Sequence, residues 1–486
     1  MSAPVPRARI APDHQAAPAW IEPDIYGQYL EHVEDCIYPG VWDDGIRTDV
    51  VQAARRLRVP TVRWPGGCFA DVYHWEDGVG PDRPLRRNQH WGGTESNRFG
   101  TDEFLRWSEA IGASPYLNVN LGTGTLDEAL RWLDYCNGTE PTPQVLARRA
   151  NGREEPWHVR RWGIGNETWG SWEAGHTDAE NYGRTLANWA RFFRTYDPEL
   201  RIVGVGSRAG QDPHWDRTVL RHAAGQIDEL SIHLYGASID DPRGQHPLGT
   251  ISTPAYLEQQ LASFVRLVRE VTAGRRGGPV RVAIDEWNIR HFRPDPAGKG
   301  YLLDRASPRR FADAMFAAGV FHAMIRHADA VSLANYVFLV NGHGLIAARD
   351  HPAEPTALFD VFRHYRRYLV GERIALTCEG PTIDMPVVSV EHPGYPVDDT
   401  VLPDVLPVID AVAARASGGD VHLAVLNRHP EQHVQLRLDG IDSSGGLATA
   451  ELDAAGGIGA FEPTSAPVQL PPMSLTLLRA SPRSSG

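Results

Sequence analysis

Glu167 and Glu286 are the two residues of this chain whose settings most clearly suit chemistry. Glu167 follows Arg161-Trp162-Gly163-Ile164-Gly165-Asn166, and Glu286 follows Val282-Ala283-Ile284-Asp285. Each run is short and largely apolar, as in a strand buried on both faces, and each breaks near the acid into polar and aromatic residues. Two carboxyl groups presented at the ends of two strands suit hydrolysis of a glycosidic bond with retention. One gives a proton to the leaving oxygen while the other attacks the anomeric carbon. A lone Glu is usually a solvated surface group, but two acids with buried apolar flanks are poorly explained that way.

The elements that must position these acids alternate along the chain. Strand-like runs fall at 25–30, 61–64, 116–120, 159–164, 202–205, 229–233, 280–284 and 330–334. Amphipathic stretches between them include 48–57, 101–111, 127–136, 178–196, 254–272 and 308–327. Eight strands alternating with helices predict an α/β fold, a (β/α)8 TIM barrel. A doubly wound sheet is the competitor, and the absence of a GxGxxG or Walker loop after any strand lowers it. Beyond Tyr368 the pattern shortens to alternating runs such as Val421–Leu426 and Val434–Leu438, separated by Gly- and Ser-rich turns. That pattern predicts a C-terminal antiparallel β-sandwich. The expected division is 1–20 as an N-terminal segment that adds a strand to the sandwich, 21–370 as the barrel, and 371–486 as the sandwich.

Polar residues at the carboxyl ends of barrel strands meet at one mouth. Read this way, the first two strands deliver Glu31, then Arg63 with the Gly66-Gly67 turn. Asn118 and Asn120 come from the third, and Asn166 and Glu167 from the fourth. The sixth brings His233 and Tyr235, the seventh Glu286 and Trp287, and the eighth Asn335. Glu167 as the acid calls for an apolar, aromatic setting that keeps it protonated, which Trp169 and Trp172 can supply. Glu286 as the nucleophile calls for partners such as Arg63 and Tyr235. Arg63 fits a structural ion pair equally well. Asn118 and Asn120 lean towards structural roles, and His233, two residues from Tyr235 on one strand face, towards the site. Retention requires carboxyl groups roughly 5–5.5 Å apart.

Composition narrows the partners. A net charge of −13 over 486 residues argues against nucleic acid and anionic membrane surfaces. The four Cys make no CxxC pair, so a structural zinc site is not expected, and no HxH or HExxH spacing occurs, so a metal-dependent hydrolase is a minority reading. No apolar signal-peptide core opens the chain and no run of 18 apolar residues occurs, so a cytoplasmic location is expected.

Several motifs together resemble glycoside hydrolase family 51, most of whose members are α-L-arabinofuranosidases. They are Tyr26-Gly27-Gln28-Tyr29-Leu30-Glu31-His32, Arg63-Trp64-Pro65-Gly66-Gly67-Cys68-Phe69-Ala70-Asp71, Tyr73–Pro81, Gly165-Asn166-Glu167 and Asp285-Glu286-Trp287. The resemblance implies a jelly-roll-like sandwich after the barrel, a retaining exo-acting enzyme on arabinose-containing oligosaccharides, no cofactor and a homo-hexamer. It puts the acid/base on Glu167, the nucleophile on Glu286, sugar contacts on Glu31, Asn166 and Tyr235, and an arginine beneath the nucleophile on Arg63. Cys68 falls where the sugar is touched through the backbone. The chain departs from the family pattern at Val33-Glu34-Asp35, at Phe338, where a Gln is usual, and at Asn288–Phe292. These departures bring a β-D-galactofuranosidase into view. An endo-glucanase on the same barrel and a non-catalytic carbohydrate-binding protein complete the alternatives.

Overall fold

The computed structural model describes residues 5–239, 248–384 and 405–483. Eight parallel strands close into a barrel: β1 (Gly27–Tyr29), β2 (Thr61–Trp64), β3 (Ser114–Val119), β4 (Arg161–Ile164), β5 (Arg201–Val205), β6 (Glu229–Ile239), β7 (Arg281–Pro294) and β8 (Val331–Tyr336). Each pairs with the next in the chain, and β8 returns to β1 through Asn335↔Gly27 and Tyr336↔Gln28. Every residue of β2, β4 and β8 is buried, which is why these strands read as continuous runs rather than alternating ones.

The helices bury one stripe each. Thr48–Leu57 turns Val50, Val51, Ala54 and Leu57 inward, at the spacing of a helix face. Thr125, Thr142 and Asp178 cap the helices Leu126–Asn137, Pro143–Ala150 and Ala179–Tyr196 by accepting from backbone N–H groups. The helix between β5 and β6, Pro213–Ala223, is an addition to the expected set.

Two strands run well past their expected ends. β6 and β7 stay paired beyond the barrel, from His233↔Glu286 to Ile239↔Phe292, and Tyr301–Leu303 adds a third, antiparallel strand. The ribbon is braced from below. His291 sits between Ser307 Oγ at 2.7 Å and Asp313 Oδ1 at 2.9 Å, and Asp313 also accepts from Arg310 N at the start of helix Phe311–Arg326. A strand reading that stops at the first polar residue misses this ribbon, because its polar side chains are buried against the site and not against water.

The C-terminal residues are mostly strand. One sheet has the order Leu376–Glu379, Arg7–Pro12, Val434–Leu438, Val468–Leu470. The other runs Trp20–Ile21, Gly371–Ile374, Ile409–Arg415, Val421–Asn427, Ser474–Ser481, Gly446–Glu451, Glu462–Thr464. Ile10, Leu423, Val425, Leu436, Leu470 and Leu478 fill the space between them. The sandwich is not antiparallel throughout: Arg7–Pro12 lies parallel to Val434–Leu438, because the N-terminal strand inserts between two C-terminal ones. Among the described residues no helix is long and apolar enough to cross a membrane.

Candidate active site

A register shift between β6 and β7 builds the centre of the mouth. Ser231 pairs with Ala283, but His233 pairs with Glu286, so β7 carries one extra residue there. Such a bulge re-aims the following side chains, and here Asp285 and Glu286 both face the site. On β4 the chain turns sharply at Gly165 (φ 85°), and Glu167 itself holds φ 39°, a conformation that costs a non-glycine residue free energy. That turn points the Glu167 carboxylate across the mouth. A carboxylate oxygen of Glu167 and one of Glu286 lie within 4.8 Å of each other.

Each oxygen of Glu286 has its own donor. Arg63 Nη1 donates to Oε1 at 2.6 Å, and the Tyr235 hydroxyl donates to Oε2 at 2.5 Å. Arg63 Nη2 also donates to Asn166 Oδ1 at 2.9 Å, and its Nε lies 3.8 Å from Asp285 Oδ2. Burial opposes the charge of Arg63, and Asp285 and Glu286 more than offset that, so the guanidinium stays charged. Burial and the Glu286 charge push the Tyr235 phenol well above its ordinary range, which keeps it a donor.

Glu167 has polar partners too. His233 Nδ1 is 2.8 Å from its Oε1, and Trp172 Nε1 donates to its Oε2 at 3.1 Å. This corrects the expectation of an apolar setting that raises the acid. Burial does push Glu167 up, but the hydrogen bond and charge of His233, with Arg290 and Trp172, bring it below its ordinary value. His233 in turn is pushed up to about 10: burial works against its charge, and Glu286, Asp285 and Glu167 outweigh it. The proton of this pair therefore rests on the imidazole. Asp285, at 3.1 Å from His233 Nε2 and accepting from the Tyr116 hydroxyl at 3.1 Å, holds the ring from behind.

The backbone comes unusually close to these carboxylates at the Pro65-Gly66-Gly67 turn. A Cβ on Gly67 would stand 2.3 Å from Glu286 Oε1. One on Gly66, which has φ 142°, would stand 2.4 Å from Glu31 Cγ. Both glycines are there to let the chain pass. Glu31 accepts from Phe69 N at 2.9 Å, and burial together with the Glu286 charge raises its carboxyl.

These groups line a cavity of about 270 Å3, whose wall includes Glu31, Cys68, Glu167, Tyr235 and Glu286. Asn166 is buried beside it, joined to Arg63 and to Glu173 Oε1, the latter at 3.2 Å. Two expected site residues lie elsewhere. Trp287 is fully buried on the far side of β7, stacked on Phe362 at 5.7 Å and edge-on to Phe321 and Tyr336, because neighbours on a strand point to opposite faces. Asn335 spends its amide on the Gln28 carbonyl at 2.8 Å, tying β8 to β1 inside the barrel wall. Asn120 is likewise structural: its Oδ1 accepts from Thr123 N and Gly124 N.

Other wall residues were not placed at the site by the sequence, although Arg290, Phe292 and Phe338 fall within the departures from the family pattern. Trp91, Arg290, Phe292, Leu303, Arg305 and Phe338 come from loops and from the β6–β7 ribbon, with no periodic pattern to mark them. Arg290 lies over the Tyr235 ring at 3.6 Å and Arg305 over Trp91 at 5.1 Å. The acidic pair Glu34 and Asp35 does not charge the mouth, since Arg305 neutralises one at 2.9 Å and Arg349 the other. Glu167, His233 and Glu286 could together hold a metal ion by spacing, but Arg63 and the protonated His233 already supply the positive charge there.

Residues 53–241 match the model of the α-L-arabinofuranosidase 1 domain, and 285–460 that of the α-L-arabinofuranosidase C-terminal domain. The α-L-arabinofuranosidase C of Emericella nidulans is 34% identical over 90% of this chain and 87% of its own length. The family 51 α-L-arabinofuranosidase of Thermotoga petrophila superposes with a TM-score of 0.82 at 31% identity, covering 98% of this chain and 100% of that one. This chain belongs to the α-L-arabinofuranosidases of glycoside hydrolase family 51. It is thus a glycoside hydrolase. An intracellular exo-α-L-arabinofuranosidase of Bacteroides ovatus is 29% identical over 89% of the chain and 84% of its own length. A family 51 member from Bifidobacterium longum has a TM-score of 0.84 at 27% identity over 98% of this chain and 100% of that one. A bifunctional glucanase-xylanase at 15% identity and TM-score 0.64, over 98% of this chain and 99% of that one, shares the fold alone.

Proposed function

We propose that the protein releases terminal α-L-arabinofuranosyl residues from oligosaccharides with retention, using Glu286 as nucleophile and Glu167 as acid/base. The observation that carries this is the approach of the two carboxylates to within 4.8 Å. Inverting enzymes need about 6.5–9.5 Å to seat a water between the acids. Glu286 attacks the anomeric carbon while Glu167 protonates the departing oxygen. A glycosyl ester on Glu286 results. Glu167 then takes a proton from water, which attacks the same carbon and frees Glu286.

His233 supplies what Glu167 lacks at rest. Its Nδ1 proton can cross the 2.8 Å hydrogen bond to Oε1 as the leaving oxygen develops charge. Once Glu286 is esterified its charge is gone, and His233 loses the largest support for its own proton. Arg63 and Tyr235 keep Glu286 aimed, and Glu31, Asn166 and the backbone at Cys68 are assigned to the sugar hydroxyls. A cavity of about 270 Å3, near the lower end of the usual 300–1,000 Å3 for ligand pockets, favours one bound sugar ring and hence exo action over an endo-acting cleft.

On this reading residues 21–370 carry catalysis, and the described residues of 371–486 with the N-terminal strand form the supporting sandwich. A homo-hexamer and an intracellular location complete the proposal. The first follows the family resemblance, and the second is supported by the intracellular Bacteroides ovatus relative. Light scattering after size exclusion tests the hexamer.

The reaction is tested with 4-nitrophenyl α-L-arabinofuranoside beside the β-D-galactofuranoside and the β-D-xyloside, with the first-formed anomer followed by NMR. Turnover of the arabinofuranoside with α-arabinose appearing first is expected. First release of the β anomer would reject retention. No turnover of any furanoside by micromolar enzyme would reject the function.

A further inference from the structure

Outside the proton-sharing pair, a second cluster of ligating groups lies against the pocket. Cys68 Sγ, an imidazole nitrogen of His90 and a carboxylate oxygen of Glu173 all fall within 4.8 Å of one another. Cys68 comes from the turn after β2, His90 from the loop before Trp91, and Glu173 from the segment after β4, so three separate parts of the chain converge on one point. Thiolate, imidazole and carboxylate are the ligand types that zinc takes, and three protein ligands leave a fourth position for water.

Glu173 adds an independent sign. The residue is only 5% exposed. Its Oε1 accepts from Asn166 Nδ2, and apart from the Cys68 thiol of the same cluster its carboxyl has no further donor. A buried carboxylate met only by an amide and a thiol is costly in its charged form unless a cation meets it. Besides burial, the charges that act on Glu173 are Glu167, Asp71 and Glu286, and those on Cys68 are Glu173, Glu167, Glu31 and Glu286. The Glu167–His233–Glu286 cluster differs on this point, since it already contains a protonated imidazole and Arg63.

We propose that Cys68, His90 and Glu173 form a site for a thiophilic divalent cation such as Zn2+, and that its occupation shuts down hydrolysis. Binding displaces the Cys68 thiol proton and any proton on Glu173 to solvent, and water completes the coordination shell. The consequence for turnover follows from shared partners. Cys68 is part of the pocket wall. Glu173 is held by Asn166, which in turn holds Arg63 beneath Glu286. An ion that claims Glu173 and the Cys68 thiol pulls on Asn166, and through it on Arg63, and shifts the pocket wall at Cys68. The existence of the site stands apart from the catalytic reading, and only its inhibitory effect rests on it.

The test is a titration of chelator-stripped full-length protein with Zn2+ by calorimetry and with Co2+ by absorption. One ion per chain is expected, with a sulfur-to-cobalt charge-transfer band and the d–d spectrum of a four-coordinate site. Cys68→Ser should abolish the charge-transfer band. His90→Gln and Glu173→Gln should each weaken binding by roughly tenfold or more, since loss of a mere outer-shell partner already costs that much. Glu286→Gln, which cannot turn over substrate, loses one neighbouring negative charge but keeps all three ligands, so it should still bind one ion with the sulfur band, and failure of the site and failure of the catalytic reading are separable. A cobalt complex without a sulfur band, or binding lost in Glu286→Gln and kept in His90→Gln, would overturn the proposal. So would full activity at saturating Zn2+, for its regulatory half.

Discussion

His233 and Glu167 are joined through Nδ1 and Oε1 at 2.8 Å, and they share one proton that sits on the imidazole. The acid of the site is therefore a pair, and its pH dependence belongs to the pair. In the wild type the basic limb of kcat/KM reports loss of that proton, from a histidine pushed up to about 10. His233→Asn keeps a donor near the Nδ1 position but no titrating proton. Glu167 must then hold its own proton, and the basic limb should move to lower pH, with kcat down by roughly 10²–10⁴. An unmoved limb would remove His233 from the proton path.

The same shift has a stability consequence. An imidazole at about 10 in the folded chain and near 6.5 unfolded binds its proton more tightly when folded. The stabilisation is fully present below about pH 6.5 and is lost as the pH rises through about 10. It should amount to a few kcal/mol at order of magnitude. Thermal melts of the wild type should fall across that window more steeply than those of His233→Asn. Parallel curves would contradict the assignment.

Arg63 bridges Glu286 and Asn166 with two different nitrogens, which a lysine cannot do. Arg63→Lys should keep the fold and lower kcat/KM by about 10²-fold or more, the cost of misplacing a reacting group by about 1 Å. Arg63→Ala leaves buried Asp285 and Glu286 without their cation and should cost about 3–5 kcal/mol in urea unfolding. Equal stability of the two variants would show the ion pairs to be unimportant.

Gly67→Ala is the sharpest steric probe. The added methyl carbon meets Glu286 Oε1 at 2.3 Å, so the nucleophile must move. Activity should fall by about 10²-fold with the melting temperature changed by only a few degrees. Wild-type kcat in this variant would mean that Glu286 is not held where the structure has it.

Trp287 separates packing from recognition. It is sealed among Phe321, Tyr336 and Phe362, so Trp287→Ala should cost about 3–5 kcal/mol in stability. The milder Trp287→Phe should leave KM for the arabinofuranoside unchanged. A KM rise in Trp287→Phe without loss of stability would return this residue to the sugar site.

What the sequence determined follows from local physics. Buried parallel strands must be apolar, so the eight barrel strands and the sites of Glu167 and Glu286 at their ends were legible as breaks in apolar runs. Glycines were legible as close approaches at Gly66 and Gly67. Tertiary structure decided what depends on facing. One extra residue in β7 turns Asp285 and Glu286 together into the site, and Trp287 follows on the opposite face, into the core. The protonation of Glu167 was also decided there, because no local rule reveals that His233, 66 residues away, would bring a charge to it. The wall residues Trp91, Arg290 and Arg305 lie on loops and a ribbon whose course is set by packing, so they carry no period that a reading along the chain can find.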